Sequence, residues 1–218
     1  LKKEIAKVGS LVSRDARASG LHFGGGSPTM LRPEDLIDLM KAFRAAFDFR
    51  DDAEISVEMD PNDLDEPRYD ALAAIGMTRA SLGVQDFDPK VQKTINRIQT
   101  FEQTKSVVDA VRARGVHSVN CDILYGLPYQ TMETLEATVN DIVSLSPDRI
   151  ALFGYAHVPW MKKHQTMIPE EALPDVAMRF AQMTRAADML VAAAPEPTGI
   201  DHLATPDPTP AAHARTAP

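Results

Sequence analysis

The feature that most constrains this chain is an alternation along its length. Short apolar runs of strand character recur between longer stretches with helical spacing, and Gly, Pro or Asp marks the joins. The strand-like runs fall at about Gly20 to Phe23, Glu54 to Met59, Arg79 to Val84, Ser118 to Leu124 and Arg149 to Phe153. Helical spacing covers residues 1 to 13, with Ile5, Val8 and Val12 near one face. It resumes from Pro33 through Leu36, Leu39, Met40 and Phe43, then through Tyr69, Leu72 and Ile75 up to Gly76. Further helices are predicted from Glu102 to Arg114, from a cap at Thr131 to Leu145, and from Pro169 to about Val191, with a turn or short helix within Asp86 to Ile98. Strands separated by helices cannot pair as tight hairpins. They pair in parallel, with the crossover helices covering the sheet. The pattern therefore predicts an α/β fold, and by itself it suits an open doubly wound sheet as well as a barrel.

In both architectures the carboxyl ends of the strands share one edge, and ligands bind there. Glu58 ends one strand with Asp60 just beyond it, Gln85 and Asp86 end the next, Asp122 lies inside the following one, and Tyr155 and His157 follow the last. This gathering says more than any single member. Asp122, flanked by Val119, Ile123 and Leu124, needs a partner to offset the cost of a carboxylate among apolar neighbours. Backbone donors, an arginine or a ligand would each serve. Gly24-Gly25-Gly26 follows a strand and precedes a helix, which fits either a tight turn or a bare backbone approaching an anion. Arg97 is either a surface arginine or a fork for a carboxylate. Gly126-Leu127-Pro128 reads as a structural turn, and His22 as a packed or hydrogen-bonded residue and not a metal ligand.

Composition removes several classes. The formal charge is -8 across 218 residues, and no basic stripe or Cys/His finger appears, so nucleic acid is not an expected partner. No apolar run approaches the roughly 20 residues of a membrane helix. The single cysteine, Cys121, lies in a predicted strand as a small buried apolar residue. One cysteine can neither close an intramolecular disulfide nor hold a cluster, and a reducing, cytoplasmic setting is expected. From Pro195 onward the composition changes, with six of the chain's 16 prolines. Gly199 to Leu203 is a candidate for one more strand, and a disordered tail is expected beyond it.

Six segments carry a resemblance: LHFGGGSPTML, ISVEMDPNDLD, SLGVQDFDPKVQKTINRIQ, VNCDILYGLPYQT, RIALFGYAHVPW and GIDHLATPD. Together they resemble the oxygen-independent coproporphyrinogen III oxidases, a family of the radical S-adenosylmethionine superfamily. GYAHVPW and DHLA favour this family over the haem chaperone-like relatives. The resemblance implies an incomplete (β/α)6 barrel over residues 1–194. The last short strand and the Pro/Ala-rich tail would occupy 195–218, with truncation at both ends and no C-terminal domain. It implies a [4Fe–4S] cluster held by a CxxxCxxC loop, which this sequence lacks, and two S-adenosylmethionine molecules per turnover. The implied reaction is oxidative decarboxylation of coproporphyrinogen III to protoporphyrinogen IX, with an electron donor and acceptor as further partners, in a monomer.

Carried over by motif, Gly25 and Gly26 would meet the methionine amino end, and Glu58 the amino-acid or ribose end. Gln85, Arg97 and Asp122 would meet ribose and carboxylate, and Phe153 and Tyr155 would line the adenosine or second-cofactor region. The absent cysteines imply that the chain is inactive alone. The other implied reading is a cluster-free module that binds haem, a porphyrin or a partner protein.

Overall fold

The computed structural model describes residues 1–13, 15–193, 196–199 and 202–204. Its helices are α1 (Lys2–Gly9), α2 (Pro33–Ala46), α3 (Glu66–Ala74), α4 (Pro89–Thr94), α5 (Phe101–Ala113), α6 (Met132–Ser144) and α7 (Val176–Ala193). Its strands are β1 (Arg17–Phe23), β2 (Asp48–Met59), β3 (Arg79–Gln85), β4 (Ser118–Tyr125), β5 (Arg149–Gly154), β6 (Glu196–Gly199) and β7 (His202–Ala204). Strand order is β1-β2-β3-β4-β5-β7-β6. The β1–β2, β2–β3 and β4–β5 pairs are parallel, whereas β7 is antiparallel to both β5 and β6. This is an incomplete (β/α) barrel of the radical-SAM type, with parallel strands and outer helices.

The chain forms two compact units. The first is Leu1–Leu82 with Ser106–Val119; the second is Gly83–Lys105 with the chain from Asn120 onward. In the first unit β2 buries Ile55, Val57 and Met59, and β3 buries Ala80 and Leu82, while the alternate positions Glu58, Arg79 and Ser81 stay partly open. In the second unit β4 buries Cys121 and Ile123 while Asn120, Asp122 and Leu124 stay partly open. A parallel strand covered on both faces reads as a continuous apolar run. These strands alternate instead, so helices cover one face and the other carries polar groups within reach of a ligand.

Local sequence explains most element ends. Asp65 caps α3 by accepting the Arg68 N–H, Asp88 caps α4, and Thr131 and Thr134 form a reciprocal capping box on α6. Gly76 (φ 80) and Gly115 (φ 85) follow α3 and α5 in the left-handed conformation that glycine adopts without strain.

Four expectations shift. The first helix stops at Gly9, and of the expected face only Ile5 is buried; Val8 and Val12 are exposed. β1 and β2 begin earlier than their apolar runs, because Arg17 pairs with Asp48 in the ladder and through its side chain. Pro169 opens a short 3-10 turn, not the long helix, which starts at Val176. Pro174 holds Leu173 extended, and the Asp175 side chain accepts the Met178 N–H to start the helix. The region of Gly199 to Leu203 contributes to two short antiparallel strands, β6 and β7, in place of one. The expected disordered tail lies outside the described residues.

Candidate cofactor site

In the first unit the site begins where β1 ends. Gly25 (φ 71) and Gly26 (φ 56) are both left-handed, and a Cβ built on either would meet nothing within 4 Å. Conformation, not crowding, therefore demands glycine at both, and the space in front of their backbone is open. Gly24 differs, because a Cβ there would stand 2.5 Å from His22 Nε2 and 2.8 Å from Glu58 Oε1. Its missing side chain makes room for that pair.

Register brings the pair together. His22 on β1 is opposite Ser56 on β2, and Glu58 lies two residues further along the same face. His22 Nδ1 is 2.8 Å from Ser56 Oγ, and its Nε2 is 3.2 Å from Glu58 Oε1. The Gly25 N–H donates to Glu58 Oε2 at 3.0 Å. Glu58 remains 47% exposed at its side chain, so its carboxylate keeps acceptor capacity for an incoming ammonium or hydroxyl.

In the second unit the corresponding groups end β3 and β4. A Cβ on Gly83 would stand 3.0 Å from Gln85 Nε2 and 3.3 Å from an Arg97 Nη, so both side chains converge over the space this glycine leaves. Arg97 Nη2 donates to the Gly83 carbonyl at 2.8 Å. Asp122 accepts from Asn120 Nδ2 at 2.7 Å on the open face of β4, which removes the need for it to lie among apolar neighbours. Phe153 is exposed at the end of β5. Tyr155, half-buried, donates its N–H to the Tyr125 carbonyl at 2.8 Å, and its carbonyl accepts from Arg179 at 2.7 Å. Burial pushes the Tyr155 hydroxyl above its ordinary pKa.

Each unit thus joins glycine-cleared space to donors and acceptors suited to an amino acid or a sugar. A carboxylate can hold an ammonium or hydroxyls, and a guanidinium can hold a carboxylate. Glu58 accepts the Gly25 N–H, and Gln85 and Arg97 both approach Gly83; Gly26 lies just beyond β1 and Phe153 near the end of β5. Sequence reasoning missed Gly24 and Gly83 as space-makers and His22 with Ser56 as supports of Glu58. Gly83 had a signal, since it interrupts a strand otherwise rich in larger residues. The His22–Ser56–Glu58 grouping depends on strand register and had none.

S-adenosylmethionine, with an α-amino acid and a ribose, fits this donor set. A cysteine-held cluster does not. Cys121 is the only cysteine of the sequence and is wholly buried in β4, and the described residues contain no group of three or more His, Cys, Asp or Glu able to hold a metal. No helix among the described residues is long and apolar enough to cross a membrane.

Comparison with known proteins gives the family. A profile of the radical SAM superfamily matches residues 2–142. The chain belongs to the radical SAM superfamily. It is 49% identical over 206 residues to the oxygen-independent coproporphyrinogen III oxidase of Paracoccus denitrificans, covering 94% of this chain and 46% of that protein. It is 42% identical to the uncharacterized protein y4hJ of Sinorhizobium fredii, covering 85% of this chain and 72% of the relative. Among solved structures it resembles coproporphyrinogen III oxidase (HemN) from Escherichia coli, described as a radical SAM enzyme. That likeness has a TM-score of 0.91 and 36% identity, over 98% of this chain and 49% of the other. The chain spans about half the length of the curated coproporphyrinogen oxidases it matches.

Proposed function

We propose that this chain is the S-adenosylmethionine-binding barrel of an oxygen-independent coproporphyrinogen III oxidase, acting in haem biosynthesis in the cytoplasm. The observation that carries this reading is the convergence of Gln85 and Arg97 over Gly83 at a strand end. An amide and a guanidinium side by side supply donors of the kind that ribose and carboxylate contacts need, which supports the roles the resemblance implies for them. When bound in the complete protein, S-adenosylmethionine would supply the hydrogen-abstracting chemistry of this superfamily. The residues of this chain bind and orient it. Arg97 takes a carboxylate through its fork, Asp122 accepts from ribose hydroxyls, and Glu58 accepts from the ammonium. Gly25 and Gly26 let the backbone come close, and Phe153 and Tyr155 flank the adenosine or a second cofactor molecule.

The overall reaction proposed for the complete protein is conversion of two propionates of coproporphyrinogen III to vinyl groups with loss of carbon dioxide, served by an electron donor and an electron acceptor. The residues present do not fit the [4Fe–4S] cluster, so catalysis by the chain alone is not part of the proposal. Titration calorimetry with S-adenosylmethionine tests the binding role. The expected result is saturable binding that weakens about tenfold or more in Arg97→Ala and Asp122→Asn, as loss of a charge-assisted bond would cause. No binding by the folded wild-type chain, or equal binding by all three proteins, overturns it. The second reading implied by the resemblance is a cluster-free porphyrin-binding module, which the same titration with a porphyrin in place of S-adenosylmethionine would reveal.

A further inference from the structure

Gln85 has φ 70, and across it the Asp86 N–H donates to the Val84 carbonyl at 3.0 Å. A hydrogen bond spanning three residues with positive φ at the centre marks the rarer, strained form of the γ-turn. A residue with a Cβ stays there only when its surroundings over-determine it, and such outliers concentrate where ligands are held. The neighbouring residue supplies those surroundings. Asp86 has no accessible surface. Its Oδ1 accepts from the Asp88 N–H at 2.6 Å, and its Oδ2 accepts from Gln130 Nε2 at 2.6 Å.

The ties continue outward. Gln130 Oε1 accepts the Gly126 N–H at 2.7 Å, which anchors Asp86 to the loop that leaves β4. The Asp86 carbonyl accepts from Gln92 Nε2 at 2.9 Å, and the Gln92 carbonyl accepts the Arg97 N–H at 2.9 Å. The side chain of Gln92 also bridges both backbone groups of Gln99. Asp86 therefore joins the turn that aims Gln85 to the segment that carries Arg97.

We propose that Asp86 is a positioning residue of the candidate cofactor site: its buried carboxylate, held by the Asp88 N–H and Gln130, clamps the left-handed turn at Gln85, and its backbone carbonyl, fixed by that clamp, ties the turn through Gln92 to the Arg97 segment, so that both side chains stand over Gly83 before a ligand arrives. The inference rests on the cofactor reading of Gln85 and Arg97. Prior ordering of this kind strengthens binding because the ligand need not order those side chains itself. The charge matters, since both oxygens accept from N–H groups. Asparagine offers one acceptor and one donor, and its NH2 would face either the Asp88 N–H or Gln130 Nε2.

The test uses the full 218-residue chain. Nuclear magnetic resonance reads the Gln85 backbone conformation from its Cα and Cβ shifts and its HN–Hα coupling. Calorimetry reads S-adenosylmethionine affinity, with Arg97→Ala as the control for the cofactor reading. Asp86→Asn, folded by circular dichroism, is expected to lose the left-handed signature at Gln85 and to bind S-adenosylmethionine about tenfold more weakly. Asp86→Ser, smaller and still able to accept one N–H, is the second variant should the first fail to fold, with the same expectation. A folded variant that melts lower yet keeps both the Gln85 signature and wild-type affinity overturns the proposal, because a merely structural role moves stability alone. If the wild type does not bind S-adenosylmethionine, or Arg97→Ala binds as well as the wild type, the cofactor reading fails, and the Gln85 signature alone decides the clamp.

Discussion

Two polar clusters end strands of this protein, one in each compact unit, and they are built in opposite ways. His22, Ser56 and Glu58 meet on partly open surface and leave the carboxylate half exposed. Asp86, Gln92, Gln99 and Gln130 are all buried, and the Asp86 carboxylate is taken up by protein donors. The first arrangement keeps hydrogen-bonding capacity for a ligand. The second uses that capacity on the Asp88 N–H and the Gln130 side chain, and Gln85 and Arg97, the groups proposed to meet a ligand, are its neighbours. Two carboxylates at the ends of adjacent strands thus differ in what is left for a ligand, one open and one taken up by the protein, and burial decides which.

The sharpest way to break this comparison is to remove each carboxylate and follow stability. Asp86→Leu should cost about 2–4 kcal/mol, because it strands buried N–H donors at Asp88 and Gln130, while Glu58→Ala should cost less than about 1 kcal/mol. Urea denaturation of both variants checks it, and equal losses would mean the two clusters do the same work.

A second effect separates them by pH. Burial pushes Asp86 up to about 6, against an ordinary value of 3.8, and the bonds from Gln130 and Asp88 only partly oppose this. A native pKa above the unfolded one means that the carboxyl's contribution is fully present below the unfolded value. It shrinks as pH rises and is lost above about 6. The swing is at most about 3 kcal/mol. Wild type should therefore lose stability relative to Asp86→Asn between about pH 4 and pH 7, which paired denaturation curves across that range would show; parallel curves would remove the buried charge from the account.

Ligand affinity should reverse the order seen for stability. Glu58→Ala is expected to weaken S-adenosylmethionine binding about tenfold with little change in melting temperature, as calorimetry and thermal unfolding on one sample would show. The smallest effects should come from filling the cleared spaces. Gly24→Ala presses on His22 and Glu58, and Gly83→Ala presses on Gln85 and Arg97, in each case on the ends of flexible side chains. Each should change affinity a few-fold and stability by less than about 1 kcal/mol. A large stability loss at either would show that the glycine serves packing and not the site.

Much of this was legible in advance where the cause is local. Thr131 and Asp65 announce helix starts because a side chain can cap the backbone a few residues on, and Gly76 and Gly115 announce stops through their permitted φ. The strand cores at Ile55 to Met59 and Val119 to Ile123 followed from their apolar content. Pro169 misled because a proline opens a 3-10 turn as readily as a long helix, and the cap at Asp175 outweighed it. Of the site, Glu58, Gln85, Arg97 and Asp122 were named from motifs, but not what each meets.

The order of strands and helices, the glycines, and a supply of acids and amides at strand ends were determined by the sequence itself, since periodicity and backbone freedom act within a few residues. The division of labour between Glu58 and Asp86 was decided only by the tertiary structure. Their local sequences, VEMDP and VQDFD, both offer an acid at a strand end. Parallel register sets His22 and a bare Gly25 beside Glu58 and leaves it open, while Gln130, 44 positions away in sequence, reaches Asp86 in a place without solvent. Whether a carboxylate is taken up within the protein or left open depends on which distant donors reach it and on how much water remains, and neither is encoded by its neighbours in the chain.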